Sequence, residues 1–202
     1  MNYKVEPATS TDISWIAGFE AKVFSKDDAV PEQILRDWYN QSPNGFSTVK
    51  RDGQRIGHVN LLPLNDSVFS KFVSGLITER QIRGSELHSP GERGLVTNIY
   101  VESLVIIPPS GYAAAPAARY LLLNGMSLID RIGDPERIES VIAVAATNQG
   151  QRLLRALGFG VVSYAKDRKD RHDLYAAPFA VLQDEMPRRF RFPKTERALA
   201  EV

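Results

Sequence analysis

The sequence feature that most constrains the fold is a long run of β-forming residues near the middle of the chain. Residues 95–107 are rich in valine and isoleucine and include Tyr100, and Pro108 and Pro109 end the run because proline has no N–H to donate to a strand ladder. Small residues follow, and Pro116 suits the first turn of a helix. A buried strand, a short loop and a helix in this order indicate an α/β protein.

The rest of the chain alternates between extended and helical patterns. Segments with the composition or alternation of strands are 3–7, 46–50, 55–62, 95–107, 140–144, 159–165 and 172–176. Segments with helical spacing or capping signals are about 11–24, 31–41, 116–132 and 148–157, the last capped by Asn148. This order predicts a mixed α/β fold with a mostly antiparallel central sheet and helices on both faces.

The chain of 202 residues is long enough for one domain with a large core. We expect a domain over 1–176, interrupted by a helical insertion at 66–92, and a basic C-terminal tail over 177–202. In the insertion, Phe69, Phe72, Leu76 and Ile82 predict an apolar face that covers an edge of the sheet.

Composition excludes several classes of site. The chain has no cysteine, which rules out disulfides, cysteine nucleophiles and cysteine-ligated metals, and its three histidines lack the spacing of metal ligands. A net charge of +1 disfavours extensive nucleic-acid binding. The N-terminus has no signal-peptide pattern, and the apolar runs are far shorter than a membrane span, so we expect a cytoplasmic protein that does not enter a membrane.

Glu102 is the only acidic residue in the run 95–107. A carboxyl group inside a strand is unusual because charges are rarely buried without a partner. One interpretation is a general base or an amine-binding carboxylate, and the other is a carboxylate that faces solvent or pairs with an arginine. Asn98 and Tyr100 precede Glu102 at alternate positions and share its face, which would form an acceptor pocket or a polar sheet edge.

The small residues over 110–118 are a second candidate site. They allow backbone N–H groups to approach an anion, and the start of the following helix adds positive potential, so pyrophosphate is the expected ligand. An alanine-rich helix start that packs closely on the sheet would explain the same residues.

These patterns, together with the segment 147–159, resemble the GNAT superfamily of acetyl-coenzyme A-dependent N-acyltransferases. The likeness covers most of 3–176 and is carried by the order of elements, by Val105-Ile-Ile-Pro108 at the end of the fourth strand, and by Leu157-Gly-Phe159 at the end of the late helix. It implies acetyl-coenzyme A as co-substrate and direct attack on the thioester by a primary amine, on a small molecule or a protein, in a ternary complex. Family members are often dimers, which makes a homodimer compatible with the resemblance.

The resemblance also implies roles for single residues. Glu102 would help to deprotonate the amine, Asn148 would line the thiol end, and Tyr164 would donate a proton to the thiolate. Backbone groups would hold the pantetheine arm and the pyrophosphate; those residues are Leu104, Val105 and Ile107 for the arm, and Tyr112, Ala113, Ala114, Ala115 and Ala117 for the pyrophosphate.

Three positions depart from the family's pattern. Tyr112 stands where arginine or glutamine is usual and Ala115 where glycine is usual, so the loop carries no cation. Leu154 occupies the place of a tyrosine that many members use as general acid. These departures favour an alternative, a catalytically degenerate GNAT-fold protein that binds coenzyme A or a protein partner. His58 would line the acceptor cleft or serve as an ordinary strand histidine.

Overall fold

The structure is a computed structural model of the chain and describes residues 2–107 and 114–189. Within them the strands are β1 (Tyr3–Pro7), β2 (Phe46–Arg51), β3 (Gln54–Leu64), β4 (Asn98–Ile106), β5 (Ser140–Val144), β6 (Gly160–Ser163) and β7 (Leu174–Pro178). The α-helices are α1 (Asp12–Val23), α2 (Glu32–Gln41), α3 (Asp66–Val73), α4 (Ala115–Leu123), α5 (Gly125–Ile132), α6 (Asn148–Ala156) and α7 (Phe179–Arg189).

The seven strands form one sheet in the order β1-β2-β3-β4-β5-β7-β6. Only β4 and β5 pair in parallel, and the other neighbours are antiparallel. The predicted fold class is therefore confirmed. The parallel pair needs a crossover, which α4 and α5 provide.

Helices cover both faces of the sheet. Helices α1, α2 and α3 pack on one face and α4, α5 and α7 on the other, with partly buried α6 leucines beside them. The buried helical side chains include Ile16, Leu35, Trp38 and Phe72 on the first face and Leu121, Leu128, Ile129 and Leu182 on the second. None of the helices in the described ranges is long and apolar enough to cross a membrane.

The strands β4 and β5 separate halfway along β4. They pair only where 98–101 lies beside 140–143, while β4 continues against β3 to Ile106. At the point of separation β4 has a bulge: Val101 pairs with Leu61 and Ser103 with Asn60, so Glu102 has no partner on β3. A bulge bends a strand and redirects its side chains. The bulge lies where the sheet opens. It turns the Glu102 side chain away from the direction that it would have in a regular strand.

Several elements differ from the sequence-based expectation. The helix expected over 116–132 is divided at Asn124 into α4 and α5. The insertion forms α3 followed by 3₁₀ turns; Phe72 and Ile82 are buried in it, whereas Leu76 is exposed. The segment assigned to the tail begins with the end of β7 and with α7, whose apolar side chains at its start join the core. Residues 190–202 of that tail lie outside the described residues.

Gly45 supports the strand beside the bulge, since it packs against the backbone of Leu61. A methyl group at this position would overlap the Leu61 carbonyl oxygen. We therefore expect Gly45→Ala to lower the free energy of unfolding by about 1–3 kcal/mol, the usual effect of overpacking.

The matched control is Gly18→Ala on the exposed side of α1, where the added methyl meets nothing within 4 Å. Alanine is the better helix former, so this variant should gain up to about 1 kcal/mol. Urea unfolding measures both variants, and a Gly45→Ala midpoint at or above that of the unmodified chain would contradict the predicted overlap.

Candidate active site

A cavity of about 610 Å³ opens where β4 and β5 separate, and its walls come from both faces of the sheet. We call the part beside α4, α5 and α6 the apolar chamber; it is lined by Leu104, Leu121, Leu128, Ala143, Thr147 and Leu154. We call the other part the polar chamber; it is lined by Asp28, Glu79, Tyr100, Glu102, Ser103 and His172. Glu102 and Leu104 belong to the stretch of β4 that has left β5.

Glu102 lies at the junction of the two chambers. The side-chain amide of Asn60 donates to its Oε2 at 2.8 Å. Burial raises the pKa of Glu102 well above its ordinary value, the negative charge of Glu20 raises it further, and the hydrogen bond from Asn60 opposes the shift. A carboxyl with a raised pKa is a stronger base when ionised, which suits proton transfer from an amine.

A buried polar cluster stands behind Glu102. Its members are Glu20 from α1, His58 and Asn60 from β3, and Ser103 from β4, all less than 4% exposed. Glu20 Oε1 lies 3.0 Å from His58 Nε2 and accepts a hydrogen bond of 3.0 Å from the Ser103 hydroxyl. The Asn60 amide lies 3.1 Å from the Ser103 oxygen, which links the cluster to Glu102.

The two ionisable members of this cluster have shifted pKa values of opposite sign. Burial raises the pKa of Glu20 to about 7, against the lowering effect of the hydrogen bond from Ser103. Burial lowers the pKa of His58 to about 3, so this histidine is neutral at pH 7. The ring Nδ1 of His58 is buried without a hydrogen-bond partner. An unpartnered acceptor costs less than an unpartnered donor that cannot move, so we place the ring proton on Nε2, facing Glu20.

Glu79 adds another carboxyl to the polar chamber from the insertion. The hydroxyl of Tyr100 donates to Glu79 Oε2 at 2.5 Å. Burial and the charge of Glu102 raise the pKa of Glu79 well above its ordinary value, whereas the bond from Tyr100 lowers it. Glu79 and Glu102 are therefore close enough for their charges to repel each other across the chamber.

His172 lies opposite these carboxyl groups, in the turn before β7. Its Nε2 is 2.8 Å from Asp28 Oδ1, and Asp28 also accepts a 2.7 Å hydrogen bond from the Ser25 hydroxyl. The His172 side chain is 26% exposed. His172 is thus a partly buried histidine on the chamber wall, and the Asp28 carboxylate orients its ring.

The end of β4 leaves backbone groups open towards the apolar chamber. The N–H of Ile107 donates to the Ile56 carbonyl at 2.8 Å and is thus engaged with β3. Backbone groups alternate along a strand, so those of Val105 also point to β3, while those of Leu104 and Ile106 point to the separated side. Of the three strand residues predicted to hold the pantetheine arm, only Leu104 has its backbone on the open side.

The start of α4 provides the described end of the predicted phosphate loop. Ala114 is the N-cap, and Ala115 and Ala117 contribute first-turn N–H groups that have no partner within a helix. Ala114 and Ala115 are exposed, whereas the Ala117 side chain packs in the core. Tyr112 and Ala113 lie outside the described residues.

The structure brings neither Asn148 nor Tyr164 to the cavity. Thr147, not Asn148, caps α6, because its hydroxyl accepts a 3.0 Å hydrogen bond from the Gly150 N–H; Asn148 is exposed. Tyr164 follows β6, is 59% exposed and lies away from the cavity wall. The hydroxyl that lines the apolar chamber beside Leu154 is that of Thr147.

Sequence reasoning missed Glu20, Glu79 and the orientation of His172. Glu20 had a usable signal: it follows Ile13 and Ile16 at helical spacing and therefore lies on the buried face of α1. Glu79 and His172 had none, since each reaches the chamber through an irregular turn.

The sequence of the chain matches no protein-family model and no curated protein. Its structure is similar to the loading GNATL domain of CurA from Lyngbya majuscula, with a TM-score of 0.66, 12% identity, and coverage of 89% of this chain and 99% of that one. It is also similar to the GphF GNAT-like decarboxylase in complex with isobutyryl-CoA, with a TM-score of 0.59, 15% identity and coverage of 87% and 99%.

A third similar structure is an acetyltransferase of the GNAT family from Streptococcus pneumoniae, with a TM-score of 0.51, 11% identity and coverage of 88% and 99%. At these identities the likeness concerns the fold. The strand order, the separation of β4 from β5 and these similarities together show that the chain has the fold of the GNAT superfamily.

Proposed function

We propose that the protein is an N-acetyltransferase that moves an acetyl group from acetyl-coenzyme A to a primary amine by direct attack in a ternary complex. The observation that carries this proposal is the position of Glu102. It lies at the bulge where β4 leaves β5, between an apolar chamber with free backbone groups and a polar chamber rich in carboxyl groups.

The apolar chamber fits the acyl end of a coenzyme A thioester. Its walls are aliphatic, and the open N–H and C=O groups of Leu104 and Ile106 can pair with the amides of a pantetheine arm as a strand would. A backbone N–H on this edge would polarise the thioester carbonyl. The first-turn N–H groups of α4 would meet the pyrophosphate. Thr147, which lines the apolar chamber, would donate to the departing thiolate in place of Tyr164.

The polar chamber fits a cationic acceptor. An alkylammonium group with a pKa of about 10.4 must lose a proton before its nitrogen can attack. Glu102 would take that proton. Its raised pKa reduces the difference between its own pKa and that of the ammonium group. Glu79 would hold the positive charge of the incoming amine. The acceptor would enter between the loop after α1, the insertion and the turn before β7.

The decarboxylase among the similar structures raises a different reaction, the loss of carbon dioxide from a carboxylated acyl group. Such a substrate would place a carboxylate near the junction, where Glu102 and Glu79 already lie. In their ionised forms these two carboxylates would repel it. Of the chamber's basic residues, Arg80 is engaged with the Lys26 and Ala29 carbonyls, and Lys169 and Arg171 are exposed on the rim. The charge pattern therefore favours an amine acceptor.

A second candidate function is coenzyme A binding without transfer. Leu154 in place of the usual tyrosine and the absence of a cation from the sequence 110–117 favour it. Binding and turnover separate the two functions, because only the enzyme releases thiol in the presence of an amine.

We expect coenzyme A and acetyl-coenzyme A, at hundreds of micromolar, to raise the melting temperature, because a ligand that binds the native state must stabilise it. Thiol release from acetyl-coenzyme A should then rise with a subset of a panel of polyamines, aminoglycosides, amino acids and peptides. Stabilisation without release by any amine would favour the binding protein. No stabilisation by either compound would contradict both functions.

Glu102→Gln should lower the turnover number by a factor of about 10²–10⁴, the usual contribution of a general base. The acid limb of the pH–rate profile should disappear, while the dissociation constant for acetyl-coenzyme A, measured by calorimetry, stays the same. The matched control is Glu136→Gln, an exposed residue between α5 and β5, which should behave as the unmodified protein. An unchanged profile in Glu102→Gln would remove Glu102 as the base.

A further inference from the structure

His172 forms part of the wall of the polar chamber but has no role in the reaction proposed above. Its ring Nε2 lies 2.8 Å from Asp28 Oδ1, and the Ser25 hydroxyl donates to Asp28 Oδ2 at 2.7 Å. Although burial acts to raise the pKa of Asp28, the hydrogen bonds from His172 and Ser25 hold it below its ordinary value. Asp28 is therefore a carboxylate near neutral pH, and a carboxylate only accepts hydrogen bonds. The ring nitrogen that faces it, Nε2, therefore carries the proton.

The other ring nitrogen of His172, Nδ1, is available to a ligand. It makes no hydrogen bond within residues 2–107 and 114–189, and the side chain is 26% exposed. In a neutral ring whose proton is on Nε2, Nδ1 is a hydrogen-bond acceptor without a proton of its own. His58 differs in this respect, because its Nδ1 also lacks a partner but is buried in the cluster behind Glu102. A free acceptor on the wall of a cavity fits a hydrogen-bond donor of the molecule that fills the cavity.

A buried ion pair fixes the turn that carries His172. The side chain of Arg168 is fully buried and binds Asp170 through two hydrogen bonds, from Nε to Oδ1 at 3.1 Å and from Nη2 to Oδ2 at 2.6 Å. Its Nη1 also donates to the Phe72 carbonyl of α3 at 2.8 Å. Asp170 accepts a further hydrogen bond of 3.2 Å from the backbone N–H of His172. The ring is therefore held both through its backbone and through its side chain, which reduces the entropy lost when a ligand binds.

We propose that His172 selects acceptor amines that carry a second hydrogen-bond donor, an amino or a hydroxyl group, which donates to His172 Nδ1. This inference deepens the proposed acetyl transfer and rests on it. The reacting nitrogen would lie at Glu102 and the second donor at the opposite wall, so the acceptor would be a diamine or an amino alcohol. Asp28 is a positioning residue in this arrangement, because it sets the tautomer and the orientation of the ring.

The same wall disfavours other groups at this position. A carboxylate has no proton to donate to Nδ1 and would lie close to Asp28 and Asp170, which line the same chamber. A plain alkylamine would displace solvent from Nδ1 without replacing the hydrogen bond that the solvent made, and a polar group left without a partner is costly. This cost is the source of the expected selectivity.

The first test compares acetyl transfer to diamines and amino alcohols of about three to six carbons with transfer to alkylamines of the same length. In the unmodified protein, kcat/KM should be about tenfold or more higher for acceptors with a second donor, mainly through KM. In His172→Gln this ratio should fall to about one, because glutamine can still donate to Asp28 but has no acceptor at the position of Nδ1. The matched control is His88→Gln, which is outside the chamber and should keep the ratio.

The outcomes of this test separate the inference from the function on which it rests. A ratio of about one in the unmodified protein would overturn the inference. So would a ratio that His172→Gln leaves unchanged, including the case in which turnover falls by the same factor with both kinds of acceptor. A preference for diamines alone identifies an amino group as the second donor, and a preference for both classes identifies any N–H or O–H donor. Thiol release with no amine at all would instead refute the proposed acetyl transfer.

The second test does not depend on turnover. Long-range ¹H–¹⁵N spectra of the histidine rings at pH 8, assigned with the His172→Gln variant, should show His172 with its proton on Nε2 and none on Nδ1. In the presence of coenzyme A, at least one diamine of the series should move the Nδ1 resonance, and the alkylamine of the same length should not. A proton on Nδ1, or a resonance that no diamine or amino alcohol moves, would overturn the inference. A resonance that a diamine moves in a protein that acetylates no amine would support the contact at His172 and refute the proposed transfer.

Discussion

Strand β4 pairs with β3 along its length but with β5 over only four residues, and the candidate site depends on that difference. Where β5 departs, the backbone of β4 must find other partners, since unpaired buried N–H and C=O groups are costly. A ligand with amide groups of its own supplies them. The separation of β5 from β4 also leaves the space that forms the cavity. The unpaired edge of β4 and the cavity beside it therefore have the same cause.

The bulge at Glu102 places charge beside that edge. In a regular strand Glu102 and Ser103 would face opposite sides of the sheet. With the bulge, Val101 and Leu104 both reach the apolar core on one side, and Glu102 and Ser103 reach the polar cluster on the other. The strand can therefore present an aliphatic wall to a thioester and a base to an amine within four consecutive residues.

The sequence predicted those features that repeat along the chain and missed those that depend on one irregularity. Strands and helices follow from periodicity, and the lone acid in 95–107 pointed to Glu102. Resemblance to a family assigned the backbones of Val105 and Ile107 to the pantetheine arm, whereas the Ile107 N–H donates to the Ile56 carbonyl and is engaged with β3. Asn148 and Tyr164 were placed by resemblance to a motif, and a one-residue shift of the helix cap and an exposed loop moved them away.

Sequence periodicity cannot predict the contacts that turns make, and the reason is physical. Glu79 and His172 occupy irregular segments whose paths are set by packing on the finished sheet, so their neighbours are far away in sequence: Glu79 bonds to Tyr100 and His172 to Asp28. Glu20 is different, because its burial was encoded in the spacing of α1.

Several buried or partly buried carboxyl groups lie in the polar chamber and in the cluster behind it, and their mutual repulsion couples acceptor binding to proton release. Glu20, Glu79 and Glu102 each have a pKa raised by burial, and charge on one raises the pKa of another. A cation entering the polar chamber stabilises their ionised forms, so the chamber should shed protons as the amine binds. Acceptor binding therefore favours the ionised form of the base. The cost of a buried carboxylate is offset when the cation that pairs with it is present.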